Sequence, residues 1–115
     1  MHELGIINRV QQTALRLMRE QHAHAVTEVR MKVGVLSGIL PDYLTSYFEM
    51  INKNTPAEGA RLMIEIEPAV FICRDCGAES VFPKYGPDFI CCHCSSENLS
   101  LTGGSSLKII SVTVV

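Results

Sequence analysis

Two C-x-x-C units carry the clearest chemistry in this sequence. They are Cys73-Arg74-Asp75-Cys76 and Cys91-Cys92-His93-Cys94, and 14 residues separate them. A gap of two residues lets both sulfurs of a tight turn point at one metal about 2.3 Å away, with Gly77 available for positive φ after the first pair. Because two such turns complete a tetrahedron, the pattern predicts a zinc site. Its ligands would be Cys73, Cys76, Cys91 and Cys94.

The fifth cysteine and the neighbouring histidine are expected to lie outside the site. Pairing Cys92 with Cys94 would leave only one residue between two ligands, unlike the first unit. His93 could replace a sulfur, but inside the turn it would point away from a metal that both flanking sulfurs bind. Four thiolates saturate Zn²⁺ and leave no position for water or substrate, so the expected zinc is structural and not catalytic.

Two other uses of these cysteines remain open. Disulfides or merely buried thiols are disfavoured because Met1-His2-Glu3 does not open an export signal, and cytoplasmic thiols stay reduced. We therefore expect a cytoplasmic protein. A rubredoxin-like iron site is the stronger alternative, since Cys73-x-x-Cys76-Gly77 looks like the C-x-x-C-G turn of rubredoxin and thiolates also bind iron. However, Ser95-Ser96 follows the second unit where a glycine would be expected.

The amino end offers a second, nitrogen-rich metal site. A free terminal amine, the amide nitrogen of His2 and the His2 imidazole are close enough in the chain to chelate one ion. Strong nitrogen donors of this kind favour square-planar Ni(II) or Cu(II). Glu3 has a simpler reading as a first-turn carboxylate that complements a helix dipole.

Charge and composition exclude several classes of function. The 115 residues carry 10 basic and 12 acidic side chains, and residues 68–105 hold 2 basic against 4 acidic ones. Four thiolates on Zn²⁺ would add about −2 more, so this segment should repel phosphates and no nucleic acid partner is expected. No apolar run approaches the roughly 18 residues of a membrane span. No Ser/His/Asp arrangement, glycine-rich phosphate loop or carboxylate pair indicates an enzyme.

Periodicity predicts two helices and three strands around the cysteine-rich segment. Apolar residues recur at helical spacing over residues 4–21 and again from Pro41 to a stop at Asn54-Thr55-Pro56. Alternation predicts strands at Thr27–Val35 and Arg61–Glu67, and a third, strongly apolar one at Leu107–Val115. The polar side of the first helix should hold Asn8, Gln11, Gln12, Arg16 and Arg19. The inward strand residues should be Val29, Met31, Val33, Val35, Leu62, Ile64, Ile66, Ile110, Val112 and Val114.

This order predicts an α+β fold: two helices packed on a small three-stranded sheet, with an inserted zinc-ribbon domain. The expected domains are residues 1–67 with 106–115, and a loop-built ribbon at 68–105. Because about 38 residues cannot bury enough apolar area to order themselves, the metal must supply much of the ribbon's folding free energy. Aromatic residues of the ribbon are expected to pack on each other; they are Phe71, Phe82, Tyr85 and Phe89.

The order and spacing of several short motifs resemble the HypA/HybF family of hydrogenase maturation nickel metallochaperones. The resemblance covers the whole chain. The motifs are the two C-x-x-C units, Met1-His2-Glu3, Lys32-Val33-Gly34, Ser46-Tyr47-Phe48-Glu49 and Ala57-Glu58-Gly59-Ala60.

The resemblance implies a nickel-binding domain built on His2 and a separate zinc domain. His2 would be the nickel ligand, and Glu3 a neighbour that contributes its backbone nitrogen or supports transfer. In that family nickel passes to the large subunit of [NiFe]-hydrogenase, with the GTPase HypB as partner and urease as a second destination in some organisms. The four knuckle cysteines would bind zinc.

Two positions depart from the family pattern. Leu40 stands where some relatives carry an acidic residue near the nickel site, with Asp42 two positions on, and Cys92 stands where a proline is common. His22 and His24 should close the first helix and complement its exposed carbonyls, with auxiliary metal capture as the alternative. The competing functions are a zinc-ribbon interaction module without nickel and a rubredoxin-like electron carrier.

Overall fold

The computed structural model describes residues 2–86 and 88–115 and confirms the α+β fold. No helix within these ranges is long and apolar enough to cross a membrane. In chain order the elements are α1 (His2–Glu20), β1 (Val26–Gly34), α2 (Pro41–Ile51), β2 (Arg61–Glu67), β3 (Ala69–Cys73), β4 (Glu79–Phe82), β5 (Leu99–Gly103) and β6 (Leu107–Val114).

The chain divides into two compact units. The first comprises Met1–Lys32, Ile39–Glu65 and Lys108–Val115, and the second comprises Val33–Gly38 and Ile66–Leu107. The domain ranges expected from the sequence, 1–67 with 106–115 and 68–105, remain a prediction.

The core of the first unit is formed by one face of each helix and one face of β1. Its buried apolar residues are Ile7, Val10, Ala14, Met18, Val26, Val29, Met31, Leu44, Phe48 and Ala57. The helical residues among them follow the helical apolar pattern, and Val29 and Met31 are predicted inward strand residues; Val26, just before the predicted strand, and Ala57, in a turn, were not predicted. Burial of an apolar stripe is the main stabilisation available to a short helix.

Gln11 was expected on the polar side of α1, and this expectation is wrong. The residue is only 6% exposed. Its amide nitrogen donates to the carbonyl oxygen of Ile51 and to Oδ1 of Asn52, both at 2.9 Å. A buried amide needs such partners, and here they tie α1 to the end of α2. Asn8, Gln12, Arg16 and Arg19 are exposed, as predicted.

The first sheet has the order β2-β1-β6. Backbone bonds join Val35 to Glu67 and Val26 to Pro56, so β1 and β2 run in the same direction. Bonds from Ala25 to Val115 and from Gly34 to Ser106 give the β1–β6 pair the opposite direction. The connection from β1 through α2 to β2 is therefore a parallel crossover unit, which explains why a helix separates the two strands in sequence.

Two strand residues face outward against expectation. Ile66 is 49% exposed, because Glu65 and Ile66 are two successive exposed residues that shift the alternation by one. Ile110 is 48% exposed, because it and Ser111 are two successive exposed residues that shift the alternation by one. Ile109 is half-buried in its place, while Val112 and Val114 are half-buried, as predicted.

Of the two histidines expected to close the first helix, only His22 does so, and through its backbone; the backbone N–H of His24 donates to the carbonyl of Val115 instead. The N–H of Ala23 donates to the carbonyl of Met18, and the N–H of His22 to that of Arg19. This is the Schellman pattern, in which the residue after the helix takes positive φ and is usually glycine. His22 adopts that conformation here with φ 54°.

The second unit contains a sheet where the sequence suggested a loop-built ribbon. Its order is β4-β3-β5, and both pairs are antiparallel. The strands are five residues or fewer and lack clear alternation, so periodicity did not reveal them. Phe71, Phe82, Phe89 and Tyr85 pack ring against ring with centroids 5.0–5.9 Å apart, which confirms their role in ribbon packing.

Two glycines allow backbone segments of the second unit to approach closely. A Cβ atom at Gly34 would collide with the carbonyl group of Gly104, and one at Gly104 would collide with the backbone of Pro68 and Ala69. Gly104 also has φ +91°, and its carbonyl accepts from the N–H of Leu36 at 2.7 Å. These positions therefore require glycine on steric grounds.

Gly104→Ala is expected to destabilise the protein by about 3 kcal/mol or more, because it adds a backbone collision to the cost of positive φ. Gly38→Ala is a matched control, since Gly38 has φ +78° but no atom within 4 Å of a new Cβ. That control should cost only about 1–2 kcal/mol. Urea unfolding followed by circular dichroism measures both, and equal losses would contradict the close approach.

Candidate metal centre

The first C-x-x-C unit, Cys73–Cys76, is called the first knuckle and forms a tight turn at the end of β3. The N–H of Gly77 donates to the carbonyl of Cys73, and the N–H of Cys73 donates to that of Ala78, both at 2.9 Å. Gly77 has φ +78°, which confirms the expected use of glycine after the first pair. This turn brings the side chains of Cys73 and Cys76 to one side.

The second C-x-x-C unit, Cys91–Cys94, is called the second knuckle and has the same pattern of backbone hydrogen bonds. The N–H of Ser95 donates to the carbonyl of Cys91 at 3.1 Å, and the N–H of Cys91 donates to that of Ser96 at 2.8 Å. Ser95 takes the place of the glycine with φ 62°, a conformation that costs a side-chain-bearing residue about 1–2 kcal/mol. The missing glycine therefore does not prevent this knuckle from forming.

The two knuckles bring four sulfurs together. Among the described residues, Cys73, Cys76, Cys91 and Cys94 form a donor cluster whose sulfur atoms all lie within 4.8 Å of one another. The Cys73–Cys94 distance is 3.6 Å and the Cys76–Cys91 distance is 3.5 Å. A tetrahedron with metal–sulfur bonds of about 2.3 Å has edges of about 3.8 Å, so the donor set fits a four-coordinate metal.

Backbone amides favour ionisation of two of the thiols. The N–H groups of Cys94 and His93 point at Sγ of Cys91, at 3.4 and 3.3 Å. They lower the pKa of Cys91 to about 6. The backbone N–H of Cys76 is the main cause of a lowered pKa at Cys73. Amides that donate to the charged form stabilise the thiolate, which is the form that binds metal.

The other two thiols resist ionisation in the absence of a cation. The backbone N–H of Ser96 lowers the pKa of Cys94, but the neighbouring thiols, Cys73 first, and desolvation outweigh it and raise that pKa to about 12. The pKa of Cys76 is also raised, because desolvation and the Cys91 and Cys73 thiols outweigh the Ala78 amide. Four thiolates this close repel one another, so the arrangement is suited to a divalent cation.

Cys92 and His93 lie outside the cluster. The thiol of Cys92 donates to the carbonyl of Glu79 at 3.4 Å, and its backbone N–H donates to Oγ of Ser80 at 3.0 Å. His93 is exposed and contributes its backbone N–H to the site. The geometry therefore groups the four cysteines that the C-x-x-C spacing selects, and their role as zinc ligands stays a prediction.

A polar network links the two knuckles, and sequence reasoning missed it. Asp75 accepts hydrogen bonds from the hydroxyl of Ser96 and from the side-chain amide of Asn98. These bonds, Ser96 first, lower the pKa of Asp75. The only signal in the sequence was a short acid inside the first C-x-x-C and short polar residues after the second.

The expected nickel residues lie at the beginning of α1. The helix begins at His2, whose side chain lies outside the described part of the structure, and Glu3 is half-buried in the first turn. Leu40 is the residue before α2, 56% exposed, and Asp42 is in the first turn of that helix. Nickel binding by His2 and Glu3 therefore stays a prediction, as does metal capture by His22 and His24, which are exposed.

Comparison with known proteins identifies the family. The family model described as "Hydrogenase/urease nickel incorporation, metallochaperone, hypA" matches residues 1–114. The chain belongs to the HypA family. HypA is a metallochaperone family by this description, and a cluster of four cysteines that could hold a metal ion accompanies the match in this chain.

Relatives named hydrogenase maturation factor HypA align along nearly the whole chain. The one from Trichormus variabilis is 37% identical, with 99% of this chain and 96% of the relative covered. The one from Aquifex aeolicus is 35% identical, with 97% and 96% covered.

A solution structure of the Ni metallochaperone HypA from Helicobacter pylori has a similar fold, with TM-score 0.63 and 22% identity over 98% of this chain and 97% of that one. A second HypA solution structure gives TM-score 0.71, also at 22% identity, over 100% and 97%.

Cys94→Ser should lose the bound metal, whereas Cys92→Ser should retain one equivalent. Both are exposed thiols in the same knuckle, but only Cys94 belongs to the sulfur cluster. Elemental analysis of reduced, tag-free protein gives the metal content per chain. Loss of metal in Cys92→Ser with retention in Cys94→Ser would contradict the ligand set.

Proposed function

We propose that this protein binds Ni(II) at its amino end and delivers it during maturation of [NiFe]-hydrogenase. The family match over residues 1–114 is the observation that carries this proposal. His2 would supply its imidazole, with nearby backbone nitrogens completing a set that favours Ni(II). A site of few ligands at a chain end suits a carrier, because the ion has to be released again.

Glu3 would support the nickel ion electrostatically. The amino end of a helix carries a partial positive charge that disfavours a bound cation. Glu3 lies in the first turn of α1, and its carboxylate offsets that charge.

The four-cysteine cluster would hold a structural zinc ion. Zn²⁺ favours four thiolates in a tetrahedron, and the sulfur spacing described above fits this coordination. The two positive charges of Zn²⁺ would offset the repulsion among the four thiolates. With four ligands bound it would leave no position for nickel or substrate. Rubredoxin-like iron fits the same donor set and is the outcome that metal analysis would reveal as red, iron-bearing protein.

The partners follow from the proposed task. A HypB-type GTPase and the hydrogenase large subunit are the proposed partners, and urease maturation proteins are a second destination consistent with the family description. We place the protein in the cytoplasm, where the five free cysteines would stay reduced.

His2→Ala is expected to abolish tight nickel uptake while zinc content stays at one equivalent. His24→Ala is the matched control, because it removes an exposed imidazole that is not at the amino end. Surface substitutions change stability by about 0.5 kcal/mol or less, so both variants should remain folded. Calorimetric titration of tag-free protein with nickel at neutral pH gives the affinities.

Equal nickel affinity of the wild type and His2→Ala would remove the nickel assignment. A zinc-ribbon interaction module without nickel would then be the better account. Loss of affinity in His24→Ala, with His2→Ala unaffected, would move the nickel site to the end of α1.

The ribbon, residues 68–105, is proposed to fold as a separate domain that depends on its metal. Removing the metal with a strong chelator should disorder this segment while α1 and α2 remain, because the helices belong to a unit with its own core. Amide NMR spectra recorded before and after chelation would show the loss residue by residue. Collapse of the whole spectrum in one step would contradict the two-domain proposal.

A further inference from the structure

The second knuckle is tied to the rest of the ribbon at two points that bracket a metal ligand. On one side, the backbone N–H of Cys92 donates to Oγ of Ser80 at 3.0 Å. On the other side, the hydroxyl of Ser96 donates to Asp75 in the first knuckle. Because residues 92 and 96 flank Cys94, these two attachments restrict how the second knuckle can turn, one against β4 and the other against the first knuckle.

The two residues that accept these hydrogen bonds, Ser80 and Asp75, are each fixed in place by their own surroundings. Ser80 is 2% exposed and lies in β4 opposite Phe71 of β3, the strand that leads into Cys73. Asp75 receives a second bond from the amide nitrogen of Asn98 at 3.2 Å. The backbone of Asn98 donates to Oγ of Ser96 at 3.0 Å and accepts from the N–H of Arg74 at 2.9 Å. A polar network whose members are hydrogen-bonded to one another in this way favours a single conformation.

The orientation of one knuckle's sulfur pair relative to the other's sets the coordination geometry, and this geometry favours one metal over another. Each knuckle supplies one pair of sulfurs, and crossing the two pairs gives a tetrahedron while laying them in one plane gives a square. Zn²⁺ has no geometric preference from its d electrons and accepts the tetrahedron, whereas Ni(II) favours a square plane. Since affinity alone does not separate such ions, geometry has to provide selectivity.

We propose that Asp75, acting through Ser96 and Asn98, is a positioning residue that holds the two knuckles crossed and thereby excludes nickel from the cysteine site. The inference rests on the proposed function in one respect, namely that nickel is the cargo. A carrier that handles nickel at its amino end needs its four thiolates closed to that ion, because a second nickel site would retain what should be delivered.

The test measures metal preference, not metal affinity. Zinc and nickel carry the same charge, so the loss of a carboxylate near the site weakens the binding of both ions together and cancels from their ratio. Full-length His2→Ala protein serves as the background, so that only nickel in the ribbon is counted. Asp75→Ala removes both bonds, and Glu97→Ala is the control, because it removes an equal charge from an exposed side chain in the same segment.

Each protein is dialysed to equilibrium against buffered mixtures of zinc and nickel and analysed for bound metal. Asp75→Ala should shift the bound nickel-to-zinc ratio at least tenfold toward nickel, with nickel–thiolate charge-transfer absorption. Glu97→Ala should match the background protein. If Asp75→Ala fails to fold its ribbon, Ser96→Ala, which leaves the Asn98 bond, carries the test with a smaller shift in the same direction.

An unchanged ratio in both Asp75→Ala and Ser96→Ala would overturn the proposal, even if total metal affinity falls. Whether the chain carries nickel at all is decided separately, by comparing His2→Ala with the wild type while Asp75 is intact. The two hypotheses can therefore fail independently.

Discussion

Four sulfur atoms within 4.8 Å of one another are the constraint on which the second unit depends. Brought this close, the thiols cannot all ionise: the pKa of Cys91 falls to about 6, while that of Cys94 rises to about 12. A divalent cation removes this conflict because it stabilises every thiolate at once. The three short strands and the aromatic cluster form a small core, so we expect much of the free energy that orders the segment to come from a bound metal.

The first unit has a different source of stability. Its helices and β1 bury an apolar core, and Gln11 joins α1 to the end of α2 through buried hydrogen bonds. We therefore expect this unit to fold without a metal. A cargo site at the beginning of α1 could then gain and lose its ion without unfolding the helix that presents it.

The sequence predicted the features that depend on local pattern. Helical spacing located α1 and α2, alternation located β1 and β2, and the paired C-x-x-C units selected the cysteines that meet. It did not predict which residues change sides when a pattern is interrupted, as at Ile66 and Ile110, since burial there depends on what lies opposite. Nor did it predict the bonds from Ser96 and Asn98 to Asp75, which join residues more than 20 positions apart through short polar side chains.

In the proposed function, one chain keeps two metals apart by ligand chemistry, with sulfur for zinc and nitrogen for nickel. X-ray absorption at the zinc and nickel edges of protein loaded with both metals tests it most directly, because each edge reports only the neighbours of its own element. We predict four sulfurs at about 2.3 Å around zinc and only nitrogen or oxygen neighbours around nickel. Sulfur in the nickel shell, or fewer than four sulfurs around zinc, would contradict the account.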